Sequence, residues 1–308
     1  MPEISVQVAV RVRPFNKREL DAKAKNIITM KGGKTTILDP ETQKTKDFNF
    51  DYSFWSHDGF DTAGSDDADG YEEGYYFPSL SKPNQNGFPY ASQKEVFNSL
   101  GSKVLMNALA GYNSCLFAYG QTGSGKSYSF VGYGTNRGVV PQVCEAVFKK
   151  KTQIHAEGNS QLNVKFSMLE IYNEKLRDLL SKDQKKASSL KIRSPPTGTY
   201  VENLHEDKVV SYEDIEACVD RGTTNRTVAS TNMNATSSRA HTVMCINIEY
   251  ITVIDGQPSA KTSDMNLIDL AGSERAESTG ATGDRLAEGA AINKSLSELG
   301  NVISALAE

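Results

Sequence analysis

The chain has 308 residues and a mass of 33.7 kDa, which is long enough for one large domain with a sizeable buried core. Its 38% hydrophobic and 23% charged residues are ordinary for a globular protein and exclude the collagen-like, membrane and disordered classes. The formal net charge of −4 argues against a generic nucleic-acid binder, which would be basic, but a local basic patch could still bind a protein partner.

The N-terminal third combines a predicted strand with a long loop. Ser5–Arg13 alternates and is rich in Val, which predicts a strand. Asp58–Pro89 is crowded with Gly, Asp, Asn and Pro, and its acidic residues have few basic neighbours, so we expect a flexible or disordered loop. Because loops accept insertions at small entropic cost, a tolerated surface insertion that is dispensable for hydrolysis is favoured over a recognition role.

The rest of the chain alternates between helical and strand-like patterns. Ser92–Ala110 has its apolar residues on one helical stripe, and Asn113–Tyr119 is a short apolar run typical of a strand buried on both faces. Further strands are predicted at Leu162–Ile171, His241–Ile251 and Ser263–Leu270, and further helices at Val140–Lys150, Tyr212–Arg221 and Ile292–Glu308. The alternation predicts one mixed α/β layer system.

Cysteine and histidine show no spacing typical of a metal site or of a disulfide framework. The cysteines form no C-x-x-C pair, which favours reduced, buried thiols at Cys115, Cys144, Cys218 and Cys245. No stretch is apolar enough to span a bilayer, and no signal peptide is visible. We therefore expect a cytoplasmic protein without membrane contact of its own.

A phosphate-binding motif follows the apolar run that ends at Tyr119. It matches G-x-x-x-x-G-K-[ST] in full and comprises Gly120, Gln121, Thr122, Gly123, Ser124, Gly125, Lys126 and Ser127. Glycines let backbone N–H groups close around phosphates. Lys126 would place its charge near the β- and γ-phosphates, and Ser127 would offer a hydroxyl to Mg²⁺. The motif predicts a nucleoside-triphosphate site.

Two further segments have the form of the switches that nucleotide hydrolysis needs. Thr262–Leu270 has the pattern of a buried strand ending in an acid, so Asp269 is predicted to face Mg²⁺. Gly272 follows, where a glycine lets a backbone N–H approach the γ-phosphate and act as a hinge. Asn234–Arg239 is rich in hydroxyl groups and suits a lid over Mg²⁺ and phosphate.

Taken in order, these motifs resemble the phosphate loop and the two switches of kinesin motor domains. Other stretches that match the family are Arg11–Pro14, Ser167–Leu180 and Asn293–Leu296. The resemblance covers essentially the whole chain outside Asp58–Pro89. The stretches that look closest to the third kinesin class, which hauls vesicles or intraflagellar cargo, are Asp51–His57, Tyr90–Gln93 and Ser278–Arg285.

The resemblance implies roles for individual residues in binding the nucleotide. The adenine would rest on a platform made of Arg11, Arg13, Pro14 and Tyr128. The plain alternative is a strand end and a core Tyr. In the first switch, Asn234 and Ser237 would contact the phosphate and the attacking water. Ser238 would join Ser127 and Asp269 in binding Mg²⁺.

The resemblance also implies which residues act in hydrolysis. Arg239 would pair with Glu274, and this pair, called the latch below, would close over the γ-phosphate. Gly272 would sense the γ-phosphate and release the second switch after hydrolysis. Lys126 would complete the catalytic set by stabilising charge on the phosphates.

The implied fold is an α/β P-loop NTPase of the kinesin type, with a central, mostly parallel, twisted sheet and helices on both faces. The implied activity is a microtubule-stimulated ATPase that couples Mg²⁺ and ATP to microtubule (tubulin) binding and movement on the cytoskeleton. One alternative is a non-motile module that grips or remodels microtubules with slow turnover. A GTPase-like switch is disfavoured, because no Asn/Thr-Lys-x-Asp string that reads guanine is present.

The resemblance further implies how the chain is organised. Residues 1–308 would form one motor domain that is incomplete at its C-terminus, with the insertion at 58–89. The family continues beyond this point with a basic microtubule-contacting loop, two helices and the neck linker. Cargo or adaptors would bind through those absent regions.

Overall fold

The computed structural model describes residues 6–63, 75–79, 89–158, 160–183, 187–196, 198–233, 239–254, 257–274 and 284–307. The strands are β1 (Ala9–Val12), β2 (Ile28–Lys31), β3 (Lys34–Leu38), β4 (Thr45–Asn49), β5 (Tyr52–Trp55), β6 (Phe60–Ala63), β7 (Tyr75–Pro78), β8 (Ser114–Ala118), β9 (Gly132–Tyr133), β10 (Asn136–Arg137), β11 (Ser160–Tyr172), β12 (Lys175–Asp178), β13 (Lys191–Arg193), β14 (Tyr200–Glu202), β15 (Asp207–Val209), β16 (His241–Ile254) and β17 (Gln257–Asp269). The helices are α1 (Lys17–Asp21), α2 (Gln93–Val96), α3 (Ser102–Leu109), α4 (Lys126–Phe130), α5 (Val139–Ala156), α6 (Tyr212–Met233) and α7 (Asp284–Ala307), and a π-helical turn (Phe97–Gly101) joins α2 to α3.

These elements fall into two compact units. The first comprises Met1–Val96, Gly132–Arg137 and Leu299–Glu308, and the second comprises Phe97–Val131 and Gly138–Glu298. In the first unit, β1 pairs in parallel with β5, and β2, β3 and β4 form an antiparallel sheet. In the second unit, a six-stranded sheet has the order β12-β11-β16-β17-β8, with β15 also paired to β11.

Two parts of the segment predicted as a loop, Phe60–Ala63 and Tyr75–Pro78, are paired strands. β6 and β7 are antiparallel, and the amide of Tyr76 donates a hydrogen bond to Asn136 Oδ1 at 2.9 Å. The Tyr76 side chain is buried, and its ring centroid lies 5.1 Å from that of Phe60. The loop prediction is wrong at these strands, because buried aromatic rings offset the entropy of ordering them. Residues 64–74 and 80–88 lie outside the described residues.

The six-stranded sheet is mixed, so the α/β class is confirmed but the predicted predominance of parallel pairs is wrong. Only the pairing of β17 with β8 is parallel among the described pairs of this sheet. The pairing of Ile254 with Gln257 leaves two residues, Asp255 and Gly256, between β16 and β17. A connection this short forces antiparallel pairing, and Asp-Gly is a preferred sequence for it.

The core of the second unit is a row of apolar side chains that crosses the sheet. Phe166 on β11 pairs with Ile246 on β16, which pairs with Met265 on β17, and all three are fully buried. Helices α5 and α6 pack against β11, while α3 packs against β8, β16 and β17. Burying each of these large side chains contributes about 1.5–3 kcal/mol, so this row holds β17 and its C-terminal end in place.

Most sequence-predicted elements exist, although their bounds differ. β1 is shorter than the predicted strand, while α6 and α7 extend beyond the predicted helices. Cys144 and Cys218 are buried as predicted, but Cys115 is exposed and Cys245 is half-buried. The residues of β8 are half-buried or exposed, so the prediction of a strand buried on both faces is wrong. None of the described helices is both long and apolar enough to cross a bilayer.

Candidate nucleotide-binding site

The phosphate-binding motif connects the C-terminal end of β8 to the start of α4, as the sequence predicts. Gly125 has a φ of +94° immediately before α4, in the left-handed region that favours glycine. Gly120 has a φ of +153°, and a Cβ there would lie 2.6 Å from Ser124 Oγ. The chain therefore needs glycine at both ends of this loop to turn tightly from strand to helix.

The Lys126 ammonium group lies against the carbonyls of the loop itself. Its Nζ donates hydrogen bonds to the Gly120 carbonyl at 2.7 Å and to the Gln121 carbonyl at 3.1 Å. Burial lowers the pKa of Lys126, while the carboxylates of Asp269 and Glu274 oppose this effect. The amine is thus a half-buried cation inside the loop, where a phosphate would gain from it more than in water.

Ser127 and Asp269 come together through the parallel pairing of β8 and β17. Ala118 and Asp269 are register partners, and the Ser127 hydroxyl donates to Asp269 Oδ2 at 2.8 Å. Asp269 is 8% exposed, and burial raises its pKa. Its Oδ1 is buried and has no hydrogen-bond partner among the described residues. A hydroxyl beside a carboxylate with an unsatisfied oxygen fits Mg²⁺, a hard cation that takes oxygen ligands.

The segment that follows β17 is hydrogen-bonded to the phosphate loop. The amide of Ser273 donates to the Gly120 carbonyl at 3.1 Å. The Glu274 carboxylate accepts from the Thr122 amide at 2.8 Å and from the Thr122 hydroxyl at 2.5 Å. Partial burial raises the pKa of Glu274, but the hydrogen bonds from Thr122 outweigh it, so the net shift is downward. Sequence reasoning did not foresee this partnership, since 152 residues separate Thr122 from Glu274.

Gly272 fits this segment because it has no side chain. A Cβ at this position would lie 2.5 Å from Thr122 Oγ1 and 2.3 Å from a carboxylate oxygen of Glu274. A larger residue would force the Thr122 and Glu274 side chains out of their present positions. Close packing thus favours glycine at 272, and the hinge role inferred from the sequence stays a prediction.

The first-switch residues are only partly described. Asn234, Ser237 and Ser238 lie outside the described residues, whereas Arg239 is described and half-buried. Glu274 has Thr122 as its hydrogen-bond partner within the described part of the chain. The latch therefore stays a prediction.

Arg11 of the predicted base platform is held by several partners within the first unit. Its guanidinium donates to the Ser56 hydroxyl at 2.9 Å, to Gln93 Oε1 at 2.7 Å and to the Ala91 carbonyl at 3.2 Å. Three such hydrogen bonds fix the plane of the guanidinium group. Arg11 thus has a structural role in the first unit that does not depend on a ligand.

Arg13 forms a bidentate ion pair with Glu19, with both N–O distances at 2.7 Å, and also donates to the Pro14 carbonyl at 2.7 Å. Glu19 in turn completes a capping box with Asn16 at the start of α1. The pattern Asn-x-x-Glu in the sequence could have revealed this. Tyr128 lies half-buried in α4 of the second unit. The adenine platform stays a prediction.

Comparison with known proteins identifies relatives along the whole chain. A model of the kinesin motor domain family matches residues 11–308. Kinesin-related protein 1 of Dictyostelium discoideum is 46% identical over 322 residues, which cover 99% of this chain and 13% of that protein. Kinesin-like protein KIF28 of Mus musculus is 45% identical over 306 residues, covering 99% of this chain and 28% of that protein. The chain therefore spans less than a third of the length of these curated relatives.

Solved structures give the same result at the level of the fold. A KIF14 fragment with ADP in complex with a microtubule has a TM-score of 0.78 and 39% identity, covering 98% of this chain and 78% of that one. A KIF14 dimer with AMP-PNP in complex with a microtubule has a TM-score of 0.79 and 38% identity, covering 97% and 77%. A fast kinesin has a TM-score of 0.78 and 34% identity, covering 98% and 75%.

Proposed function

The chain belongs to the kinesin motor domain family, and we propose that it hydrolyses ATP with Mg²⁺ and couples hydrolysis to microtubule binding and movement. One observation carries the proposal. The phosphate loop, the end of β17 and the segment after it meet in one hydrogen-bonded cluster around Lys126, Asp269 and Glu274. The KIF14 structures with ADP and AMP-PNP on microtubules support this choice of nucleotide and track.

The residues of the cluster would divide the work of binding. Lys126 would leave the Gly120 and Gln121 carbonyls and donate to the β- and γ-phosphates. Ser127, Ser238 and Asp269 would hold Mg²⁺, which neutralises charge that develops on the phosphates. The adenine would rest on a platform formed by Arg11, Arg13, Pro14 and Tyr128.

Hydrolysis would depend on the two switches. Asn234 and Ser237 would hold the attacking water and the γ-phosphate, while the Gly272 amide would sense that phosphate. Closing the latch would require Glu274 to exchange its Thr122 partner for Arg239. Whether Glu274 contacts Thr122 or Arg239 would thus depend on whether the γ-phosphate is present.

The latch is tested by a double-mutant cycle on single-turnover hydrolysis with microtubules present. Arg239→Ala and Glu274→Ala should each bind ATP but hydrolyse it far more slowly, because the partner that remains cannot close the latch over the γ-phosphate by itself. The double variant should be little worse than either single one. Losses that simply add would mean that the two residues act separately.

We propose further that the chain belongs to the third kinesin class and acts on cytoplasmic microtubules. The supporting sequence stretches are Asp51–His57, Tyr90–Gln93 and Ser278–Arg285. Cargo or adaptors would bind through regions outside this chain, and this domain would contact neither nucleic acid nor membrane.

Microtubule co-sedimentation tests the coupling. The protein should pellet with microtubules to a different extent in AMP-PNP than in ADP, because the cluster around Glu274 changes partners with the γ-phosphate. Lys126→Ala should lose this nucleotide dependence. Equal pelleting of the wild-type chain in both nucleotides would contradict coupling, and slow turnover with tight pelleting in both would favour a non-motile, gripping module.

A further inference from the structure

A buried imidazole connects the segment after β17 to helix α7. His241, the first residue of β16, is 7% exposed. Its Nδ1 lies 3.1 Å from the backbone nitrogen of Ala271, and its Nε2 lies 2.9 Å from the Ser295 hydroxyl oxygen. The Ser295 hydroxyl also lies 2.7 Å from the Ile292 carbonyl oxygen, one turn earlier in α7.

The hydrogen-bond partners fix the protonation state of the ring. The Ala271 amide can only donate, so Nδ1 must accept and carries no proton. The Ile292 carbonyl can only accept, so the single Ser295 proton is donated to it and Ser295 must accept from Nε2–H. His241 is therefore a neutral imidazole with its proton on Nε2, which agrees with the lowering of its pKa by burial.

The hydrogen bonds of His241 join a segment beside the phosphate loop to the middle of helix α7. Ala271 is buried and directly precedes Gly272, which packs against Thr122 of the phosphate loop. Ser295 lies in the middle of the 24-residue helix α7. If the 271–274 segment shifts, the ring either follows it and carries its contact with Ser295 along, or loses its buried hydrogen bond from the Ala271 amide or its part-buried one to Ser295. Leaving a buried donor unsatisfied destabilises the protein, so moving together is favoured.

We propose that His241 is a positioning residue, which acts through Ala271 and Ser295 to pass the displacement of the 271–274 segment on to helix α7. The inference rests on the proposed function for its effect on microtubules, because the phosphate state is what would displace the segment. Two hydrogen bonds to a rigid aromatic ring provide the directional link that apolar packing alone lacks. No proton is transferred in this role, and the ring stays neutral throughout.

Ser295→Ala tests the link at its far end. The variant should bind nucleotide and turn over ATP without microtubules at the wild-type rate within about two-fold, while microtubule-stimulated kcat falls by at least about five-fold, as for loss of a typical coupling free energy. Ser295→Thr, which keeps the hydroxyl, should restore most of the stimulation. Ser297→Ala is the matched control, since Ser297 is exposed on α7 and also donates to a carbonyl of its own helix, at 2.8 Å.

A second readout needs no microtubules. Amide hydrogen exchange across α7 should differ between ADP and AMP-PNP in the wild-type chain, in Ser295→Thr and in Ser297→Ala, but not in Ser295→Ala. If the exchange pattern holds while microtubules stimulate nothing, the link stands and the proposed function fails. Wild-type stimulation and exchange in Ser295→Ala, or no nucleotide-dependent exchange in the wild-type α7, would overturn the link.

Discussion

Asp269, the predicted Mg²⁺-facing acid, lowers the stability of the fold at neutral pH because it is a buried carboxyl group. Burial raises the pKa of this carboxyl, so the ionised form is disfavoured in the folded protein and this cost is present at neutral pH. The cost disappears as the pH falls below the ordinary value of 3.8, where the carboxyl is protonated in both states. Its Oδ1 is also buried without a hydrogen-bond partner among the described residues, as the proposed Mg²⁺ site would require.

Asp269→Asn should therefore separate stability from activity. Without nucleotide or Mg²⁺, the variant should unfold at a temperature at or above that of the wild type at neutral pH, because a neutral amide is easier to bury. ATP turnover should fall by at least about 10²-fold. Calorimetry and a steady-state assay measure the two effects, with Asp220→Asn on the exposed face of α6 as control. A clear loss of thermal stability in Asp269→Asn would contradict the account.

The Arg13–Glu19 ion pair, unlike Asp269, stabilises the folded protein at neutral pH. The hydrogen bond from Arg13 lowers the pKa of Glu19 to about 2, from an ordinary value of 4.5. A lowered carboxyl pKa contributes stability above the unfolded value, and this contribution is lost as the pH falls from 4.5 towards 2. Because the Glu19 side chain is 32% exposed, solvent screening keeps the contribution small.

Glu19→Gln should lower the free energy of unfolding at neutral pH by less than about 1 kcal/mol. The difference from the wild type should shrink with acidification and vanish near the lower end of that window. Urea titrations across the acidic range measure this, and Glu41→Gln at an exposed position should follow the wild-type profile. A difference that grows towards low pH would refute the assignment.

Among the secondary-structure elements, local sequence patterns predicted the features that depend on residues close together in the chain. The strand, loop and helix around Gly120–Ser127 follow from an apolar run and a glycine motif, and the structure confirms them. The antiparallel pairing of β16 with β17 and the Asn16–Glu19 capping box also have local sequence signals, the Asp-Gly pair at 255–256 and the pattern Asn-x-x-Glu. By contrast, the partnerships of Thr122 with Glu274 and of His241 with Ser295 depend on which strands become neighbours, which no local pattern encodes.

The buried row of Phe166, Ile246 and Met265 across the sheet leads to a prediction about stability. Met265→Ala should lower the free energy of unfolding by about 2–5 kcal/mol, because it leaves a cavity under the strand that carries Asp269. Met106→Ala is the matched control, since this Met is 64% exposed in α3 and should change stability by less than about 0.5 kcal/mol. Chemical denaturation measures both. Equal effects would mean that the row does not support β17.

At the scale of the whole molecule, the sequence motifs predicted the kinesin motor domain family and the α/β class, and the comparisons confirm both. The balance of parallel and antiparallel strands was not predictable from alternation alone, because β11 and β16 are neighbours in the sheet although four strands and helix α6 separate them in the chain. Buried strands of both kinds present the same continuous apolar runs.

We propose that Gly120–Ser127 binds ATP for hydrolysis and that microtubules accelerate this reaction. Steady-state ATP turnover of the wild type, Lys126→Ala and the control Lys149→Ala, each with and without microtubules, tests both parts of the proposal. Lys149 is exposed on α5, with 71% of its side chain accessible. We predict stimulated turnover in the wild type and in Lys149→Ala, and a loss of at least about 10²-fold in folded Lys126→Ala. Undiminished turnover in Lys126→Ala, or no response of the wild type to microtubules, would contradict the account.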